Sequence, residues 1–288
     1  MSGIEVEVRD ETRLAPRLAR LARHVLAEAA PRLEEITGLV TPTVTYRLVT
    51  PRVWRSEVVA YVDRGLRQAL AGSEVSARER AEAEYKVASW RKAMARSWPL
   101  FEAMTLTDAD GRPQTLIAPR ALHHTGVRRS RLALRRMLVH ECVHHAQIFA
   151  SQGAVVPPRL SVRRFACDDR AVPALFEGHA EWAERLHTLE SFASLPPADA
   201  LHRSWRYRLH QHINRELPRR GQRHTVPPPD PGDRALDPRE DGARFVTAAL
   251  AGVGGDVAKF NLVWRDRCLA PTDDEIRQPE AWLLRVGL

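Results

Sequence analysis

Residues 136–149 read RMLVHECVHHAQIF and place three histidines and a glutamate within six positions. His140, Glu141 and His144 form H-E-x-x-H. On a helix, side chains four apart share a face about one turn apart, so both imidazoles can reach one Zn2+ while Glu141 reaches a water on the metal. The chemistry of such a set is hydrolysis by activated water. His145 points about 100° away from His144 and reads as a packing residue or as one that backs the metal's ligands. With 12 histidines and 21 glutamates, a random arrangement of this composition yields the pattern in about one chain in thirty, so support must come from elsewhere.

That support is a third protein ligand, with a fourth position left open. Its source is LFEGHAEW, residues 175–182, where Glu177 and Glu181 stand one turn apart on one face. By geometry alone either glutamate can ligate, the other then being a solvated carboxylate or one behind the first shell. Gly178 removes a side chain where two helix backbones need to come close. Glu177 follows His144 by 33 residues, enough for a helix to end, loop and return alongside. His179 lies roughly 200° around the helix from Glu177 and is a weaker candidate ligand, read first as a surface or hydrogen-bonding histidine.

The elements that must position these residues follow from periodicity. Leu14, Leu18, Leu21 and Val25 mark a first helix over 11–36, with Pro16 and Pro31 able to trim or kink it. TVTYRLVT, residues 43–50, reads as a short strand between prolines. Helical patterning runs from Val53 to about Met104, with breaks expected at Gly72-Ser73 and Pro99. Asp110-Gly111 sits between two β-prone runs, a hairpin signal just upstream of the histidine helix. An exposed strand edge there can hold an extended peptide by main-chain hydrogen bonds. Helices follow over 130–150, from near Pro173 through LFEGHAEW, and over roughly 199–217. Pro157-Pro158 and VPPPDPGD (226–233) mark loops. The expected class is therefore α+β, predominantly helical, with a small β-sheet beside the H-E-x-x-H helix. Residues 1–103 form a mainly helical N-terminal region with a short strand, and 104–288 a catalytic region ending in a C-terminal helical lobe. One continuous domain also accommodates both.

Composition narrows the setting. The chain of 288 residues has 44% hydrophobic content, no apolar run of membrane-spanning length, and a charged start, MSGIEVEVRD, without the apolar core of a signal peptide. The expected compartment is the cytoplasm. Cys142, Cys167 and Cys268 are odd in number and widely spaced, which suggests neither a disulfide framework nor a cysteine zinc site. A net charge of +8 rests on 41 arginines and only three lysines. The basic stretches 120–136 and 203–223 carry no recognised nucleic-acid reading motif, so solvated helix faces are the reading and nucleic acid is not the expected partner. The seven tryptophans, Trp182 and Trp264 among them, are read as core anchors.

HECVHHAQ followed by LFEGHAEW resembles the gluzincin arrangement, in which a glutamate from a following helix completes an H-E-x-x-H site. More specifically, residues from about 104 to 286 resemble the zinicin-like metallopeptidase type 2 family. This is an uncharacterised group found largely in actinobacteria and sometimes labelled as associated with biosynthesis of a deazaflavin coenzyme. The C-terminal F-N-x-V-W, P-T-x-x-E-I and final P-x-x-W carry that likeness in the same order. The resemblance implies a zincin-like metallopeptidase fold but supplies no substrate; the chemistry of the ligand set makes peptide or amide hydrolysis the expected reaction and a peptide or protein the expected partner. The resemblance also implies Zn2+ ligation by His140, His144 and Glu177, with Glu141 as general base. An oxyanion needs a further donor, for which Tyr207, His210 and His212 on the later helix are candidates. The competing reading is a non-catalytic binding or regulatory protein on a zincin scaffold.

Overall fold

The computed structural model describes residues 4–71, 76–156, 170–192, 201–222 and 236–287. Cys167, the break expected at Gly72-Ser73 and the loops expected at Pro157-Pro158 and 226–233 lie outside the described residues. The chain is mostly helical with one small sheet, an α+β arrangement.

The sheet contains β1 (Val6–Asp10), β2 (Val44–Leu48), β3 (Met104–Thr107) and β4 (Pro113–Ile117) in the order β1-β2-β4-β3. β1 pairs parallel with β2, β2 parallel with β4, and β3 antiparallel with β4. β2 and the hairpin match expectation; β1 does not, since the reading assigned it no strand. The hairpin turn closes where Asp110-Gly111 predicts. The Asp108 carboxylate accepts from the amides of Asp110 and Arg112, each at 2.9 Å. The sheet takes two strands from each side of residue 103, so both regions share it.

Alternation along the strands sends side chains to two cores. Val44, Tyr46, Leu48 and Ile117 face α1 (Pro16–Thr37) and α5 (Arg131–Ser151), while Leu106 and Leu116 face α2 (Pro51–Ala71). α1 starts at Pro16, where a missing N–H costs nothing, and ends on Gly38 with φ 63°. It passes through Pro31 without ending there. α3 (Ala77–Ser97) opens on a Ser76–Glu79 capping box, and a 3-10 turn at Trp98–Leu100 marks the break expected at Pro99. α4 (Pro119–Thr125) then leads to α5.

α5 is buried continuously from Met137 to Ile148, so it has no solvent face over its central turns. Each of Leu138, Val139 and Val143, removed from water, contributes about 1.5–3 kcal/mol of burial. The Tyr46 hydroxyl donates to the Leu138 carbonyl at 2.7 Å and pins the helix to the sheet.

α6 (Ala171–Phe192) packs against α5 on one side and α8 (Glu240–Gly252) on the other. A Cβ on Gly178 would sit 2.1 Å from the Gly242 carbonyl carbon, and one on Gly242 would sit 1.9 Å from the Ala174 oxygen. The close backbone approach expected at Gly178 is therefore real, and its partner is α8. The C-terminal elements α9 (Val257–Phe260), α10 (Asp273–Arg277) and α11 (Pro279–Val286) complete a core with Phe245, Phe260, Trp264, Ile276 and Trp282 buried. Trp54, Trp264 and Trp282 are core anchors, but Trp205 is 68% exposed at the start of α7 (Trp205–Gln222), which corrects that reading for this residue. Among the described residues no helix is long and apolar enough to cross a membrane.

Candidate metal centre

α5 and α6 run together so that His140, His144 and Glu177 converge. His140 Nε2 lies 3.2 Å from Glu177 Oε2, and His144 Nε2 lies 3.7 Å from Glu177 Oε1. One ligand atom from each of the three residues lies within 4.8 Å of the others, and the group could hold a metal ion. Two imidazoles and a carboxylate suit a divalent metal and leave a coordination position open. Glu181, the alternative ligand, stays outside this group. Its Oε2 is 3.9 Å from His140 Nδ1, and its Oε1 accepts from Arg185 Nε at 2.9 Å.

The tautomer of His144 follows from its neighbours. The Gln147 amide nitrogen donates to the Phe176 carbonyl at 2.9 Å, which fixes the amide orientation. Its Oε1 must then accept from His144 Nδ1–H at 2.7 Å, leaving the His144 Nε2 lone pair free toward Glu177. The same Gln147 nitrogen donates to His179 Nδ1 at 3.1 Å. Burial pushes the His179 pKa down to about 3, so the ring is neutral and able to accept. His179 thus lies behind His144, outside the candidate ligand group. Its ring lies 5.5 Å from Trp182, 5.6 Å from Phe260 and 5.4 Å from Trp264, so the FNLVW segment at 260–264 braces LFEGHAEW from behind.

A second chain of hydrogen bonds ends on Glu141. Thr105 Oγ1 donates to Glu141 Oε2 at 2.6 Å, which uses its only proton. Thr115 Oγ1, 2.7 Å from Thr105 Oγ1, must therefore donate to it. His145 Nε2, 2.9 Å from Thr115 Oγ1, must in turn donate to that oxygen. His145 is fully buried with its pKa pushed down to about 3, and among the described residues its bare Nδ1 has no partner. The third histidine of the motif therefore sits behind Glu141, stacked on Tyr46 at 5.6 Å.

The electrostatics divide along the same lines. Desolvation works to raise the Glu177 pKa, but the hydrogen bond from His140 and the charges of His144, His140 and Arg239 hold it well below the usual carboxylate range. Desolvation lowers the His144 pKa against the pull of Glu177, favouring the neutral imidazole a metal requires. A cavity of about 510 Å³ opens on His140 and Glu141 and is also lined by Glu102, Glu181, Arg203 and Arg239. Arg239 Nε lies 3.4 Å from Glu177 Oε2. Desolvation opposes the Arg239 charge, but Glu177, Glu181, Glu141 and Glu102 together raise its pKa. Desolvation raises the Glu102 carboxyl, with Arg239 and Arg203 opposing.

No family model matches this chain. No curated protein and no solved structure matches it either.

Tyr207, His210 and His212 do not join the site. α7 packs on α3, α4 and the 3-10 turn at Trp98–Leu100, and none of the three side chains lines the cavity. The Arg203 guanidinium lies 5.0 Å from the Tyr207 ring centroid. Sequence reasoning missed Thr105, Thr115, Gln147, Glu102 and Arg239. Gln147 had a usable signal, since it stands three residues after His144, where helical side chains meet. Arg239 is one arginine among 41 and had none.

Proposed function

We propose that this chain is a zinc-dependent hydrolase of the peptidase class, built on a zincin-like scaffold. The observation that carries the reading is the convergence of His140, His144 and Glu177 beside a glutamate already oriented by Thr105. The three residues offer the nitrogen and oxygen donors zinc favours, and the Gln147 bond leaves His144 Nε2 bare for it. When bound, zinc supplies Lewis acidity, which lowers the pKa of water and polarises a carbonyl.

The chain's own residues do the rest. Thr105 occupies Glu141 Oε2 and leaves Oε1 as the oxygen that takes the proton of the attacking water. As the carbon–nitrogen bond breaks, Glu141 returns that proton to the leaving nitrogen. Arg239, lining the cavity with His140 and Glu141, is the donor for the developing oxyanion in place of Tyr207 and His210. The outer strand β3 lies beside the site and suits an extended peptide substrate.

The test is Glu141→Gln in zinc-loaded protein presented with a diverse peptide library. Turnover is expected to fall by about 10²–10⁴-fold with zinc content unchanged. Equal activity in the two proteins refutes Glu141 as the base. A zinc-loaded wild type that cleaves nothing favours a binding protein on this scaffold.

A further inference from the structure

α7 carries an outward stripe whose composition a merely solvated face does not require. Trp205, Arg208, Leu209 and His212 stand at i, i+3, i+4 and i+7 and are all exposed, Trp205 to 68% and Leu209 to 45%. Exposed apolar side chains set among charges mark interaction surfaces. This exposure is built in. The Ser204 amide donates to the His124 carbonyl at 2.9 Å, and the Ser204 hydroxyl accepts from the Tyr207 amide at 3.2 Å. His124 Nδ1 lies 3.1 Å from the same hydroxyl. A Cβ on Gly126 would sit 2.8 Å from the His202 carbonyl oxygen, so the chain entering α7 lies directly on the turn after α4. Rolling Trp205 under the helix would break these contacts.

The surroundings of the stripe carry one sign of charge. α7 meets α3, the 3-10 turn Trp98–Leu100 that ends α3, and α4, which leads into a second 3-10 turn at Val127–Arg129. Residues 85–101, 118–136 and 201–213 contain no aspartate or glutamate, although the chain has 36. Arg120, Arg128, Arg206 and Arg208 are exposed, and among the described residues none of them has a carboxylate partner. The Arg206 guanidinium lies 5.4 Å from the Trp205 ring centroid, so charge and aromatic ring form one unit. The crowding of cations reaches the interior. Desolvation first, and then the charges of His123, Arg120, Arg206 and His210, push the His124 pKa down.

Shape decides which polyanion fits. A helix lying on its neighbours presents a ridge, and neither large cavity includes Trp205, Arg208 or Leu209. Single-stranded nucleic acid is held in a basic groove on successive aromatic platforms, and Leu209 offers a base no stacking face. A bilayer interface accepts a ridge, since Trp and Leu side chains sink to the acyl boundary while arginines beside them meet lipid phosphates. We infer that the exposed face of α7, with Trp205 and Leu209 as its apolar anchors and Arg120, Arg128, Arg206 and Arg208 as its cations, docks the protein on the surface of an anionic lipid bilayer. This inference is independent of the hydrolase reading. Leu201 and Arg203, immediately before α7, line the charged cavity, so the docking face borders the candidate site.

The experiment sediments the full chain with vesicles of phosphatidylcholine alone and of phosphatidylcholine mixed with phosphatidylglycerol. Binding is expected to the mixed vesicles only and to fall as salt is raised. Arg206→Gln combined with Arg208→Gln is expected to lower the partition coefficient about 25-fold, about fivefold for each charge. Trp205→Ala is expected to lower it about tenfold, and lipid brominated on its acyl chains should quench tryptophan fluorescence in the wild type but not in this variant. Leu209→Ala serves in its place if circular dichroism shows that Trp205→Ala does not fold. Equal binding to neutral and anionic vesicles, binding to neither, or folded variants that bind as the wild type does would each overturn the assignment. Retention of a single-stranded DNA oligonucleotide without vesicle binding overturns it in favour of nucleic acid.

Discussion

On the sheet side of α5, neutral groups pass hydrogen bonds inward: His145 to Thr115, Thr115 to Thr105, and Thr105 to Glu141. On the α8 side, Arg136 grips Glu184 with two bonds of 2.6 and 2.8 Å, while Arg185 holds Glu181 and Glu240 at 2.9 and 2.7 Å. The first side is buried and each proton on it has one destination. The second faces a cavity, and its charges can re-pair. Neutral chains fix a tautomer and an angle, whereas ion pairs at an opening tune a field that salt and substrate can alter. The two sides thus hold geometry and charge separately.

The division is broken most severely on the charged side by Arg239→Ala. Turnover is expected to fall by about 10²–10³-fold, equivalent to about 2.7–4 kcal/mol, as when an oxyanion donor is removed. Tyr207→Phe should leave turnover unchanged, and steady-state kinetics of the two variants side by side check the reassignment. On the neutral side, Gln147→Leu keeps volume but frees the His144 ring to change tautomer. Zinc affinity by competition with a chelator is expected to weaken about 10–100-fold. The smallest effect is expected from Thr115→Val, which cuts the relay behind Glu141. Loss of one ordinary hydrogen bond corresponds to about 0.5–1.5 kcal/mol, or a twofold to tenfold fall in kcat with zinc content unchanged. If Thr115→Val instead strips the metal, the separation of the two roles fails.

Much of the site was legible because its spacing is a helical property. His140 and His144 had to share a face once α5 formed, and the next helix offered Glu177 or Glu181 at a workable separation, of which the structure groups Glu177 with the histidines. β2 and the Asp110-Gly111 hairpin were legible through alternation and turn chemistry. β1 was missed although Ile4, Val6 and Val8 alternate, because the charged start was weighed only against a signal peptide. Strand partners settle that choice, and β1 has its partner 38 residues away in β2. His145 and His179 were read as weaker candidates than His140 and His144, but the groups they contact, Thr115 and Gln147, were not readable. Thr105 and Thr115 reach Glu141 and His145 through strand pairing, which no local pattern encodes. Tyr207 and His210 were chosen for side-chain type on a later helix, and α7 turns out to pack against α3 and α4.

The central claim is that α5 and α6 together make one zinc site, and elemental analysis of dialysed, zinc-loaded protein tests it most directly. Wild type and His144→Ala are measured together, with circular dichroism to establish that both are folded. One zinc per chain is predicted for the wild type, with the metal lost from the variant. Equal zinc in the two proteins, or none in the wild type, would contradict the account.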